Sequence, residues 1–186
     1  MTTKAIQMDA EALLELPRGR HRYELIRGEL KTMAPAGHEH GRIAALLTAS
    51  LIRTVIKNKL GNVYAAETGF KLASNPDTVK APDVAFVSVE RLRNVTSSTG
   101  YFPGPPDLAI EIVSPNDRHS EVEEKVELWL RYGTQMVVTL NPQTRTATVY
   151  RSLDDIRMVL GGGRLGGADV VPGWTLSLEE LFEPVP

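Results

Sequence analysis

Cysteine is absent from the 186-residue chain. That excludes a disulfide framework, a thiolate nucleophile and any zinc or iron–sulfur centre held by cysteine. It also fits a reducing cytoplasm, the compartment expected. No stretch approaches the ~18 consecutive apolar residues of a membrane span. Behind Met1-Thr2-Thr3-Lys4 there is no apolar segment of the kind a secretory signal needs. An excess of one charge is lacking too: 21 basic and 23 acidic side chains leave a net charge of −2. Such a balance argues against a broad electrostatic grip on nucleic acid, while leaving room for a local basic cleft. Several catalytic signatures are also missing: GxxxxGK[ST], GxGxxG after a strand, HExxH and GxSxG. Gly161-Gly162-Gly163 lies late in the chain and reads as a turn, not a phosphate cradle.

What is present is the make-up of a globular protein, 42% hydrophobic and 24% charged, at the length of one domain. Asp9 is placed to cap a short helix over 9–16, stopped by Pro17. Pro17-Arg18-Gly19-Arg20 reads as a turn. Tyr23 to Met33 reads as a hairpin about Arg27-Gly28. From His40 to Leu60, apolar residues recur in steps of three and four, from Ile43 to Ile56, which predicts a helix stopped by Gly61. Short strands are expected at Val63–Ala65, Phe70–Leu72, Val84–Val87, Leu108–Val113, Met136–Leu140 and Thr146–Tyr150. Asn75-Pro76-Asp77 is a turn, and 94–106 a Ser/Thr/Gly/Pro-rich loop. Ser120 with Glu123 has the pattern of a capping box for a helix reaching Tyr132. Ser177 caps a last helix to Phe182. With no repeat and no linker, the pattern implies a single α/β or α+β domain built on a mixed sheet.

Glu111 is the anomaly. It interrupts Leu108 to Val113, a run otherwise apolar enough to be buried, where a lone carboxylate is costly unless paired, protonated or bound to a cation. A buried salt bridge or an edge position reaching water is the structural alternative. Asp83 stands at the lip of the strand Val84–Val87, where an aspartate is often only a turn former. Together, two carboxylates at the ends of neighbouring strands can chelate a hard divalent cation such as Mg²⁺. Lys125 follows on the next helix among Val122, Leu128, Trp129 and Tyr132. It either snorkels to solvent or aims its ammonium at the pair, where it could stabilise a charged phosphate. Glu24 alternates with apolar neighbours, so exposure is its simplest explanation. His38 and His40 form a weak His-x-His signal, better suited to capping or solvation than to zinc. Arg42, Arg53, Lys57 and Lys59 read as the solvated face of the long helix.

The pair Asp83 and Glu111, with Pro82-Asp83 standing as a literal "PD", resembles the core of PD-(D/E)XK nucleases. More specifically, residues 9–182 resemble the Uma-two family of restriction-endonuclease-like proteins, leaving 1–8 as a short extension. The likeness rests on Tyr23-Glu24-Leu25-Ile26-Arg27-Gly28-Glu29-Leu30, Gly37 and His40. It continues through Pro82-Asp83-Val84-Ala85-Phe86-Val87, Pro106-Asp107-Leu108-Ala109-Ile110-Glu111-Ile112-Val113-Ser114-Pro115, Lys125 and Pro172-Gly173-Trp174. The resemblance implies a restriction-endonuclease-like mixed sheet flanked by helices, with Asp83 and Glu111 as metal ligands. Val113 departs from the motif, which carries a lysine there. The resemblance implies that this ammonium has migrated to the following helix, as Lys125. Glu24 matches a family glutamate, implied to add a metal contact or orient a water, and His40 matches as an accessory position. Met136 to Leu140 lacks the aromatic and aspartate that the family often has there.

The expectation is a Mg²⁺- or Mn²⁺-dependent endodeoxyribonuclease. Asp83, Glu111, Lys125 and Glu24 would be its catalytic residues and DNA its partner, with products bearing a 5′-phosphate and a 3′-hydroxyl as the resemblance implies. A homodimer is the default assembly for an enzyme that cuts both strands. The alternative is a nuclease-fold binding or accessory module without hydrolytic activity. A zinc hydrolase using His38, His40 and a carboxylate is a third possibility.

Overall fold

The computed structural model describes residues 7–17 and 21–183. The turn expected at Arg18-Gly19-Arg20 and most of the short N-terminal extension lie outside them. In chain order the elements are α1 (Ala10–Glu15), β1 (Arg22–Ile26), β2 (Glu29–Met33), α2 (His38–Asn58), β3 (Gly61–Ala65), β4 (Phe70–Ala73), β5 (Thr78–Lys80) and β6 (Val84–Ser88). Then come α3 (Val89–Leu92), β7 (Phe102–Pro103), β8 (Leu108–Ile112), α4 (His119–Arg131), β9 (Met136–Asn141), β10 (Thr146–Tyr150), β11 (Ile156–Val159), β12 (Arg164–Gly166), β13 (Thr175–Ser177) and α5 (Leu178–Phe182).

A six-stranded mixed sheet in the order β11-β10-β9-β8-β6-β3 forms the centre. Only β8 and β9 run parallel in it, joined by the crossover helix α4. Because β6, β8 and β9 are buried on both faces, their sequences are apolar runs instead of alternating patterns. One face packs Val84, Phe86, Leu108, Ile110 and Ile112 against Ile43, Leu47 and Leu51 of α2 and against Leu178 and Leu181 of α5. The other face packs Ala85, Val87, Ala109 and Val137 against Val126 and Trp129 of α4, with Phe70 of β4. A second, five-stranded sheet in the order β2-β1-β5-β4-β7 lies beside that face and carries α1 on Leu25 and Val79.

Several local expectations shift. Lys59, not a glycine, adopts the left-handed conformation that ends α2, and Gly61 instead opens β3. An added Cβ on Gly61 would lie 2.0 Å from the Val87 carbonyl oxygen, so close strand approach explains this glycine. Helix α4 starts two residues before the Ser120–Glu123 pattern suggests. The Glu121 carboxylate accepts the Arg118 N–H at 2.9 Å, closing the first turn there. Glu24 is buried, not exposed, because β1 pairs with β5 as well as β2. The short strands β5, β11, β12 and β13 lack a period long enough to stand out in the sequence.

Candidate active site

Asp83 and Glu111 come together through strand register. Val84 of β6 faces Ile110 of β8 in an antiparallel pair. Asp83, the residue before β6, therefore sits beside the end of β8 that carries Glu111. Asp83 is fixed by its own side chain: Oδ2 accepts the Ile112 N–H at 2.8 Å, while the Asp83 N–H donates to Ile110 O. Glu111 is buried, and its Oε1 accepts the indole N–H of Trp129 at 2.7 Å. Helix α4 therefore packs its tryptophan onto the sheet and aims a hydrogen-bond donor at the carboxylate.

The electrostatics follow from that burial. Desolvation pushes the Glu111 carboxyl up to about 7. Lys80 and Lys125 pull it down, while Asp83 and Glu24 add to the rise. Two like charges near each other and out of water favour a proton or a nearby cation.

Lys80 was not singled out by the sequence. The register that places Leu25 opposite Val79 sets Glu24 opposite Lys80. Lys80 Nζ donates to Glu24 Oε2 at 2.9 Å, both side chains being almost wholly buried. Burial works to lower the Lys80 pKa, but Glu24, Glu111 and Asp83 outweigh it and the pKa stands raised. The other Glu24 oxygen accepts the Ala81 N–H at 3.1 Å. Glu24 thus grips the segment Lys80-Ala81 that leads into Pro82-Asp83.

Lys125 lies nearer solvent, with its side chain about 23% exposed and Nζ 3.7 Å from Asp117 Oδ2. It still acts on Glu111 through space. His40, at the start of α2, sets Nε2 2.9 Å from Asp83 Oδ1. That contact is off hydrogen-bond geometry, and both ring nitrogens are buried without a hydrogen-bond partner among the described residues. His38 faces solvent. Among the described residues no three His, Asp or Glu side chains converge as a metal cage. A cleft of about 720 Å³ adjoins the site through Glu24, His40 and Lys80 and opens past His21, Tyr23 and Tyr101.

The residues suit a Mg²⁺-type ion. The donors are hard carboxylate oxygens, both carboxylates are buried, and burial raises the Glu111 pKa despite Lys80 and Lys125 nearby. Mg²⁺ needs only one or two carboxylates, because it keeps waters and takes phosphate oxygens for the rest.

A mixed sheet flanked by helices, in one domain, is a restriction-endonuclease-like α+β fold. The chain belongs to the Uma2 family, whose description reads "Putative restriction endonuclease" and whose model matches residues 10–179. Among solved structures it is similar to one titled a "putative nuclease belonging to DUF820" from Anabaena variabilis. The TM-score is 0.78 at 22% identity, over 94% of this chain and 97% of that one. No curated protein sequence matches.

Proposed function

We propose that the protein is a metal-dependent endonuclease that hydrolyses phosphodiester bonds of DNA at Asp83 and Glu111. The observation that carries this reading is the buried pair itself: two carboxylates at the neighbouring ends of β6 and β8, one of them with its pKa raised to about 7. Asp83 and Glu111 would hold Mg²⁺ or Mn²⁺. The chemistry supplied by such an ion is polarisation of a phosphate oxygen and activation of a water. Lys125 takes the place of the motif lysine that Val113 lacks. Its ammonium, held 3.7 Å from Asp117 Oδ2, acts on Glu111 through space and would balance charge developing at phosphorus. Glu24 serves by orienting the segment that bears Asp83, and His40 flanks Asp83 as an accessory group. The enzyme acts as a homodimer, the common assembly for cutting two antiparallel strands.

The test is a time course on supercoiled plasmid and single-stranded DNA with Mg²⁺, Mn²⁺ or EDTA, comparing wild type with Asp83→Asn and Lys125→Ala. Cleavage that needs metal, disappears in Asp83→Asn and falls at least about 100-fold in Lys125→Ala is the expected result. An Asp83→Asn variant that cuts at the wild-type rate contradicts the assignment. DNA binding without any cutting would favour a non-hydrolytic module instead, a reading to which Val113 and the Met136–Leu140 strand lend weight.

A further inference from the structure

Strand β11 is one of the two edges of the central sheet, and among the described residues it is hydrogen-bonded within that sheet to β10 alone. Free edges are usually guarded by lysine, proline or a bulge, because their unpaired backbone groups can template another strand. Residues 156–160 read Ile-Arg-Met-Val-Leu, with neither lysine nor proline. The face alternation sends Val159 into the core and Ile156, Met158 and Leu160 the other way. These three are 53%, 61% and 62% exposed, an uncovered apolar row at successive i, i+2 positions. Pairing carries that row across the sheet to the active site: Met158 faces Thr148, Thr148 faces Thr139, and Thr139 faces Glu111.

We infer that β11 is the surface through which two copies of this chain join, edge to edge and antiparallel, about a two-fold axis beside Met158. The row is self-complementary in that register. Met158 meets Met158 of the second copy, and Ile156 meets Leu160 twice over. Charge agrees with it. The same register sets Asp155 opposite Gly161 of the other copy, and Arg145 packs beside Gly161, its Cβ 3.8 Å from where a Gly161 Cβ would stand. Asp155 and Arg145 are both exposed, and neither side chain has an ion pair or hydrogen bond among the described residues. Two symmetric Asp155–Arg145 pairs would flank the apolar centre. A strand edge of this length falls short of the ~800 Å² per partner of a standard interface, so the expected dimer is weak and concentration-dependent.

This inference rests on the proposed function only for the expectation of a homodimer. A dimer that cuts nothing would leave it standing, and a monomer that cuts DNA would overturn it together with the expected homodimer while leaving the nuclease reading intact. The test is sedimentation velocity from about 1 µM to about 200 µM. The proteins are wild type, Met158→Lys, Asp155→Arg, and the swap Asp155→Arg with Arg145→Asp. Wild type is expected to dimerise across that range. Met158→Lys places two ammonium groups face to face and should weaken association at least tenfold, with the melting temperature unchanged. Asp155→Arg should weaken it several-fold, and the swap should return it to near the wild-type value. A wild type that stays monomeric, a dimer indifferent to Met158→Lys, or a swap that fails to restore association would each overturn the assignment. A monomer that loses DNA binding in Met158→Lys would assign the row to nucleic acid instead.

Discussion

Trp129 donates its indole N–H to Glu111 Oε1 at 2.7 Å, from the crossover helix to the strand it covers. The tryptophan is fully buried, so this one contact joins the core of the protein to the proposed metal ligand. Helix α4 cannot shift along the sheet without moving the donor off the carboxylate.

Replacing the tryptophan by phenylalanine keeps most of the apolar surface and removes the donor. Trp129→Phe is expected to cost about 1–3 kcal/mol, since a buried carboxylate oxygen loses its partner. Chemical denaturation measures that loss. Divalent-ion affinity should change at the same time, because Oε1 is then free to rotate. An unchanged denaturation midpoint would show that the hydrogen bond contributes nothing.

Glu24 and Lys80 should behave as a unit. Glu24→Gln or Lys80→Met alone leaves an unpaired buried charge, at an expected cost of about 3–5 kcal/mol. The double variant removes both members of the ion pair and should recover part of that loss, the rest reflecting the Glu111 and Asp83 charge that Lys80 also offsets. Additive losses in a urea double-mutant cycle would show that the pair does not act as one.

The raised pKa of Glu111 has a definite sign in stability. The folded protein holds this proton up to about pH 7, whereas an ordinary glutamate has released it by about 4.5. Between those values the native state binds more protons than the unfolded chain, so stability falls as pH rises through the window. The fall attributable to Glu111 is at most about 3 kcal/mol. Glu111→Gln should flatten it, and Mn²⁺ should offset it most above pH 7. A wild-type stability profile rising from pH 5 to pH 7.5 in the absence of metal would contradict the assignment.

Asp107 makes a separate structural prediction. It is buried, and its Oδ1 accepts Arg91 Nε at 2.6 Å and Gln135 Nε2 at 2.7 Å, while Oδ2 accepts the Ser88 N–H at 2.7 Å. The carboxylate thus ties the ends of β6, β8 and β9 at the side away from Asp83. Asp107→Ala should destabilise by about 3–5 kcal/mol through the unpaired Arg91 and orphaned donors. Metal affinity per folded molecule should stay unchanged. A loss of Mn²⁺ binding in the still-folded fraction would move Asp107 into the functional site.

Legibility in the sequence tracked the range of the interactions. The periodicity from Ile43 to Ile56 announced α2, and Asp9, Ser177 and Asn75-Pro76-Asp77 marked their cap and turn positions, because local contacts decide those elements. Glu111 was conspicuous because a charge in an apolar run has few inexpensive explanations. Lys80 was not, because its burial depends on a partner 56 residues away and on a three-residue strand with no period of its own. Glu24 read as exposed for the same reason: hairpin alternation describes β1 against β2, but β5 covers the other edge. The contact between His40 and Asp83 joins a helix start to a strand lip, a relation that only tertiary packing creates.

The central claim is that Asp83 and Glu111 form one divalent-cation site, and calorimetric titration of Mn²⁺ at pH 8 tests it most directly. One site per chain in wild type is expected, lost in both Asp83→Asn and Glu111→Gln while each variant remains folded by circular dichroism. Mn²⁺ binding that survives both substitutions at wild-type affinity would contradict the account.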